Sequence, residues 1–185
     1  MKTLLVGHGR ECITPPEHVY MMGYGARNEP SLGIHDDLFA NAVAFSDGEQ
    51  RLVVLALDVC EMDINCTQVL KGVIGEVNEL APEEIIINTS HTHAGPMICA
   101  GPYSRFEAHF YGVMATRAAE AAAQALADLQ PATLSVGSAP LDIGCSRRQL
   151  QPDGTMTIGV DRARPRLPEV TTWAFQRKDA PTILL

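Results

Sequence analysis

No stretch of the 185-residue sequence approaches the ~20 consecutive apolar residues that a membrane-spanning helix needs. The start, Met1-Lys2-Thr3-Leu4-Leu5-Val6, carries one positive charge and only a short apolar run before Gly7. That is too little for the core of a signal peptide, so the expected location is cytoplasmic. Positive charge is scarce: 14 Lys and Arg stand against 22 Asp and Glu, a net charge of -8. Only Arg147-Arg148 and the segment from Arg162 to Arg166 gather basic residues. Neither nucleic acid nor an anionic membrane surface is an expected partner for such a chain. The five cysteines (Cys12, Cys60, Cys66, Cys99, Cys145) are odd in number and show no C-x-x-C spacing. A disulfide framework and a zinc knuckle are therefore both unexpected, and buried free thiols in a reducing compartment are the simpler reading. Internal repeats and low-complexity tracts are missing, as is the H-E-x-x-H signature of zinc proteases.

What is present is the material of a folded α/β domain. The apolar share is 46%, and 185 residues suffice for a sizeable core. Leu4 to Ile13 reads as a first strand, broken by Gly7 and Gly9 and ended by Thr14-Pro15-Pro16. A loop rich in Gly, Pro, Asn and Met follows over residues 17–34, long enough to suggest function. The segment His35 to Phe45 alternates, Asp47-Gly48 offers a tight turn, and Arg51 to Val59 is nearly continuous in apolar residues. That pair reads as an antiparallel hairpin whose second strand is buried on both faces. Asp63 is a plausible N-cap for a helix over 63–80, and strand 85–89 comes after Pro82, so strand, helix and strand predict a parallel crossover.

Ser104 and Glu107 have capping-box spacing for a helix over 104–129. Its expected inner face carries Phe106, Phe110, Val113, Met114, Ala121, Ala125 and Leu129, and Pro131 ends it. Further strands are expected over 132–145 and from Val170 to Gln176, with a chain reversal at Asp153-Gly154. The fold class is α/β, a mixed sheet with at least one parallel βαβ crossover and helices packed on it. Thr182 to Leu185 begins another apolar strand, and the chain is expected to be part of a longer protein.

Chemistry concentrates after the strand Ile85-Ile86-Ile87. His91 and His93 follow it at i and i+2, with Gly95-Pro96 as a breaker. In extended backbone two such side chains point to the same side. In open α/β sheets ligands bind beyond the carboxyl ends of strands, where this pair sits. Neutral imidazole is a good zinc ligand, and catalytic zinc commonly takes three protein ligands plus a water. From spacing alone either histidine, or both, could hold a metal. Asp58 at the end of its strand could orient a ligating imidazole or cap the following turn.

Six segments together give a more specific indication: VGHGRECITPP from Val6 to Pro16, Met22-Gly23-Tyr24, Gly33-Ile34-His35, VLALD from Val54 to Asp58, TSHTHAGP from Thr89 to Pro96, and Ser146-Arg147-Arg148. In this order the chain resembles the N-terminal part of the catalytic domain of neutral/alkaline non-lysosomal ceramidases and their bacterial relatives. The resemblance implies a zinc-dependent amide hydrolase, releasing a fatty acid and an amine from N-acylsphingosine or a similar N-acyl amide. It implies that His91 is a zinc ligand, that His93 polarises the scissile carbonyl, and that Gly23 and His35 border the substrate pocket. Arg147 matches the family's catalytic arginine, although Ser146 replaces the asparagine that precedes it, with Arg148 as the alternative. The other zinc ligands of the family, a His, a Glu and a Tyr, are expected beyond Leu185. Zn is thus the implied cofactor and a small-molecule or lipid amide the implied substrate, with homo-oligomerisation left open. Two other readings stand beside this one: a non-catalytic α/β unit that binds a ligand or partner, and a hydrolase of another amide or ester.

Overall fold

The computed structural model describes residues 3–16, 18–99 and 105–185, and the chain divides into two units, Met1–Ala132 and Thr133–Leu185. In the first unit, β1 (Leu5–Cys12), β2 (Phe39–Ser46), β3 (Arg51–Leu57) and β4 (Ile85–Thr89) lie side by side in the order β4-β3-β2-β1. Pairing is antiparallel from β1 to β2 and from β2 to β3. The β2–β3 turn is held by the Asp47 carboxylate, which accepts from the Glu49 and Gln50 amides. β3 and β4 run parallel, with Val53 opposite Ile85 and Leu57 opposite Thr89. A sheet of mixed direction with two helices confirms the α/β class.

β2 begins at Phe39 rather than His35 because its partner ends. Cys12 opposite Phe39 is the last pair of the β1–β2 ladder, and the prolines that follow Thr14 offer no N–H to extend it. β1 is also not broken by its glycines. A side chain at Gly7 or Gly9 would lie about 2 Å from the Ala125 or Ala121 carbonyl oxygen of the helix above. These two glycines let strand and helix approach closely, the use of glycine that close packing requires.

That helix is α2 (Ala108–Ala127), and α1 (Ile64–Asn78) bridges β3 and β4. Asp63 caps α1 as the sequence predicts, its Oδ1 accepting from the amides of Asn65 and Cys66 at 2.8 and 2.9 Å. Glu79, in a left-handed conformation, ends α1 ahead of Pro82. At the start of α2, Glu107 is itself the N-cap residue, and its carboxylate accepts from the Tyr20 amide. Ser104, the other half of the expected capping box, lies outside the described residues. Phe110, Met114, Ala121 and Ala125 are buried as expected, but Phe106 and Val113 are exposed. Ala115, Ala118, Ala119 and Ala122 take the inner face instead. Small side chains on the helix match the glycines on β1, so the alanine run serves close packing as well as helix propensity. α2 ends at Ala127, and Pro131 falls within β5 (Gln130–Pro140), whose first residues pair with β1.

The core of this unit gathers Leu55, Leu57, Val59, Leu70, Ile74, Ile85, Ile98, Phe110 and Met114. It packs the helices against the sheet and fixes the carboxyl ends of β3 and β4, beyond which His91 and His93 follow.

The second unit takes up the chain within β5. It contains a hairpin of β6 (Ser146–Leu150) and β7 (Met156–Asp161), and then β8 (Glu169–Arg177) and β9 (Ile183–Leu184) in the order β5-β8-β9. Asp153-Gly154 makes the β6–β7 turn as predicted, with Gly154 at positive φ. Among the described residues no helix is long and apolar enough to cross a membrane.

Candidate functional site

Parallel pairing of β3 with β4 brings their carboxyl ends together, so the segment Asp58-Val59-Cys60 runs beside Ser90-His91. The Ser90 amide donates to Leu57 O at 2.9 Å, and Thr89 Oγ1 donates to Cys60 O at 3.3 Å. His91 then adopts a left-handed backbone, φ 59°, one of two non-glycine residues at positive φ among those described. Such a conformation costs on the order of 1–3 kcal/mol and is typically retained where a side chain must be aimed.

The aim is specific. His91 Nδ1–H donates to Cys60 O at 2.8 Å, which fixes the tautomer and leaves the lone pair on Nε2. That Nε2 faces His93 Nε2 at 3.4 Å, with the ring centroids 5.0 Å apart. On the other side of His91, Cys60 Sγ stands 3.7 Å from Nδ1. One donor atom from each of Cys60, His91 and His93 lies within 4.8 Å of the others. Tetrahedral zinc with Zn–N bonds of about 2.0–2.1 Å sets its nitrogen ligands about 3.3 Å apart. The observed imidazole spacing therefore fits a metal ion, and the carbonyl bond to Nδ1 is the outer contact that metal-binding histidines usually make.

A second segment braces His93. The Met22 amide donates to Gly95 O, the Met97 amide to Tyr20 O, and Met21 bridges to Pro96. Gly23, at φ +107°, has no room for a side chain: a Cβ there would stand 2.2 Å from the His93 ring. Tyr24 meets that ring edge-on at 4.9 Å, and Arg27 Nη1 donates to His93 O at 2.8 Å. The loop over residues 17–34 is thus anchored against the histidine turn through its centre.

The structure brings His91, His93 and Gly23 together. His35 does not join them through any observed bond: its side chain is 97% exposed and its ring meets the Asp36 carboxylate at 2.6 Å. The hydrogen bond to Asp36, then its charge, raises the His35 pKa above the ordinary value. Arg147 belongs to the second unit, on β6, where its Nε donates to Gly159 O at 2.8 Å. Asp58 orients no imidazole. Its carboxylate accepts from the Phe39 amide at 3.0 Å, and the Cys60 carbonyl takes the orienting role.

Cys60 is the residue that sequence reasoning passed over. Grouped with the other thiols it carries no motif, but its position three residues after Leu57, opposite Thr89, was the available signal. Cys60 and Cys99 are buried and Cys12 is exposed, so the expectation of buried thiols holds for part of the set. Burial pushes the thiols of Cys60 and Cys99 up, and that of Cys66 up to about 11.

Residues 4–151 match the family model described as neutral/alkaline non-lysosomal ceramidase, N-terminal. Neutral ceramidase 2 of Arabidopsis thaliana is 36% identical over 96 residues, which cover 50% of this chain and 13% of that protein. A neutral ceramidase of Mycobacterium tuberculosis is 28% identical over 154 residues, 75% of this chain and 24% of its own length. Among solved structures, a neutral ceramidase from Pseudomonas aeruginosa superposes with a TM-score of 0.73 at 20% identity, over 98% of this chain and 31% of that one. A ceramidase described as complexed with C2 gives 0.75 at 22% identity, over 98% and 30%. Those structural likenesses speak for the fold. The chain spans less than a third of the length of each of these relatives.

Proposed function

The chain belongs to the neutral/alkaline non-lysosomal ceramidase family, and we propose that it forms part of a zinc-dependent hydrolase that cleaves an N-acyl amide of the N-acylsphingosine type to a fatty acid and an amine. The observation that carries this reading is the facing pair of imidazole Nε2 atoms at the carboxyl end of β4, within the segment matched by the family model.

His91 is the proposed metal ligand. Its Nδ1–H is committed to a backbone carbonyl and its Nε2 is free to donate a lone pair. Bound zinc would supply Lewis acidity toward the amide carbonyl and lower the pKa of its water to about 7. His93 is held by Gly23, Tyr24 and Arg27, so its Nε2 can present a hydrogen bond to the carbonyl oxygen without reorganising. Gly23 keeps that ring in place and forms the pocket wall. His35, with its pKa raised by Asp36, is the proposed contact to polar groups of the substrate. Arg147, the match to the family's arginine, would share the negative charge that develops on the oxygen. The protein would act on a lipid or small-molecule amide.

Hydrolysis of an N-acylsphingosine by the longer protein that contains this segment tests the reading. His91→Ala should lower kcat/KM by at least a hundredfold, about 3 kcal/mol of transition-state stabilisation. Turnover unchanged by that substitution would overturn the proposal.

A further inference from the structure

We infer that Glu107 is a positioning residue for the proposed reaction, its carboxylate and its amide together fixing the short strand pair that seats the His93 ring. The inference rests on the carbonyl-polarising role proposed for His93. It extends that role to a residue at the start of α2 that neither the spacing of the histidines nor the family resemblance indicates.

A closed set of hydrogen bonds carries it. The Tyr20 amide donates to Glu107 Oε1 at 2.8 Å, the Glu107 amide to Met97 O at 2.9 Å, and the Met97 amide to Tyr20 O at 2.8 Å. One carboxylate oxygen takes the place of a backbone acceptor and closes the ring. From there the pairing runs toward the histidine: Met21 bridges Pro96 in antiparallel sense, and the Met22 amide donates to Gly95 O at 3.1 Å. The next residue is Gly23, where a Cβ would stand 2.2 Å from the His93 ring. Tyr20 and Gly23 are separated by about 10 Å of extended chain. A shift at the Glu107 end is therefore delivered to the backbone on which the imidazole rests.

The anchor belongs to a packed element, whereas the loop does not. Glu107 is the N-cap of α2, its carbonyl accepts from the Tyr111 amide at 2.9 Å, and Phe110 and Met114 tie that helix into the core. Gly23, Tyr24, Gly25 and Ala26 are exposed, so this part of the loop is held by its bonds rather than by burial. A carboxylate suits the position for two reasons. Its bond to an amide is charge-assisted, roughly twice as strong as a neutral one. It also stands at a helix N-terminus, where the macrodipole favours negative charge. Without it the Tyr20 amide loses its acceptor, the strand pair loosens from that end and the His93 ring gains freedom. The loss then falls on the hydrogen bond that His93 offers the developing oxyanion, because such a bond is effective only when the donor is already in place.

Kinetics of the longer protein and NMR of the 185-residue chain test this. Glu107→Ala should lower kcat for an N-acylsphingosine by roughly ten- to a hundredfold with KM nearly unchanged, the loss that a small misplacement of a reacting group causes. Glu107→Gln keeps an oxygen acceptor for the Tyr20 amide and should recover most of that loss; a Gln variant no better than Ala would overturn the acceptor role. Asp47→Ala, which loosens the turn at the opposite end of β3, should lower stability and leave kcat as it is. An equal loss of kcat in that variant would reduce Glu107 to a general stabiliser. In the 185-residue chain the Tyr24 and His93 rings, edge-on at 4.9 Å, should show NOEs that vanish in Glu107→Ala and return in Glu107→Gln. Amide exchange of the wild type needs no variant that folds: the Tyr20 and Met97 amides should be protected at least about a hundredfold, and a freely exchanging Tyr20 amide would overturn the inference. Ring NOEs retained in Glu107→Ala would overturn the seating of His93 whatever the activity. A wild-type protein that hydrolyses no N-acyl amide would instead sink the amidase reading, and the NMR result would still decide what seats His93.

Discussion

In Met1–Ala132 the strands β1 to β4 carry two helices and enclose a core of fully buried aliphatic residues, whereas Thr133–Leu185 contains strands alone and buries only Phe175 and Ile183 among its large apolar side chains. Both units have the sequence pattern of half-buried strands. β2 (FANAVAFS) and β8 (EVTTWAFQR) alternate in much the same way, but β2 is mostly buried and β8 mostly exposed, with Trp173 and Val170 in solvent. Alternation marks a face that can be buried; a second layer is what buries it. The first unit supplies that layer from its own helices. The candidate site lies there, because strand ends can aim side chains only where a packed core fixes the strands.

The largest expected effect contrasts the two units directly. Leu55 on β3 is fully buried, while Ile158 on β7 is 85% exposed. Leu55→Ala should cost about 2–5 kcal/mol, the range for emptying a packed aliphatic site. Ile158→Ala should stay within about 0.5 kcal/mol of the wild type, as surface substitutions do. Urea unfolding of both variants measures the difference. Similar losses, above all losses that grow with protein concentration, would show that the exposed face of the second unit is covered in solution and would break the comparison.

Much of the first unit was legible in the sequence. Strand 85–89, the Asp63 cap, the Asp47-Gly48 hairpin and the parallel crossover all stand as read. These features rest on local chemistry: a capping carboxylate, a turn glycine, a continuous apolar run. The inward residues of α2 were less legible, because alanine carries little hydrophobic signal and the glycines opposite it look like strand breakers when read alone. Only the helix carbonyls about 2 Å from a would-be Cβ explain Gly7 and Gly9. β6 and β7 escaped notice for a different reason: SRRQL is polar in all but its last residue, and MTIGVD, although it alternates, is short and follows a strand with no apolar face to pair with it, so only the turn between them is strong. At the site, the pair His91 and His93 stood out from its spacing, but the rings meet through the left-handed His91 rather than through the extended backbone expected, and the constraint on Gly23 proved to be both its positive φ and the ring beside it. Cys60 could be found only by pairing two strand ends in register.

An intermediate effect sets one residue type against itself. Asp63 and Asp153 each accept two hydrogen bonds, one at a helix start in the first unit and one in an exposed hairpin turn in the second. Loss of a helix N-cap costs about 1 kcal/mol, within a range of about 0.5–2. Asp63→Ala should therefore lower stability by about that amount, and Asp63→Asn should restore most of it. Asp153→Ala removes bonds that water can replace and should cost clearly less. Paired urea titrations decide it; an equal or larger loss at Asp153 would mean that the hairpin turn contributes as much to the fold as the helix cap.

The smallest effect concerns what sets the charges in each unit. The thiols of the first unit are shifted chiefly by burial, whereas Asp142 in the second is held below the usual carboxylate range by its bonds to Arg166 and then by that residue's charge. Arg166 Nε and Nη2 meet the two carboxylate oxygens at 2.6 and 3.1 Å. Because the folded pKa is depressed, the unfolded chain takes up the proton more readily. The pair's contribution to stability is therefore present above the unfolded carboxyl value of about 3.9 and is lost as pH falls through the folded one. Both groups are exposed, so the contribution is small and screened by salt. A carboxyl-carbon NMR titration should find Asp142 below its ordinary pKa at low ionic strength, moving toward that value in 1 M salt and reaching it in Arg166→Ala. The Cys66 thiol, raised by burial, should keep its high pKa in the same salt. A salt-insensitive Asp142 would place it in a desolvated setting, and the second unit would then be better covered in solution than its exposed strands indicate.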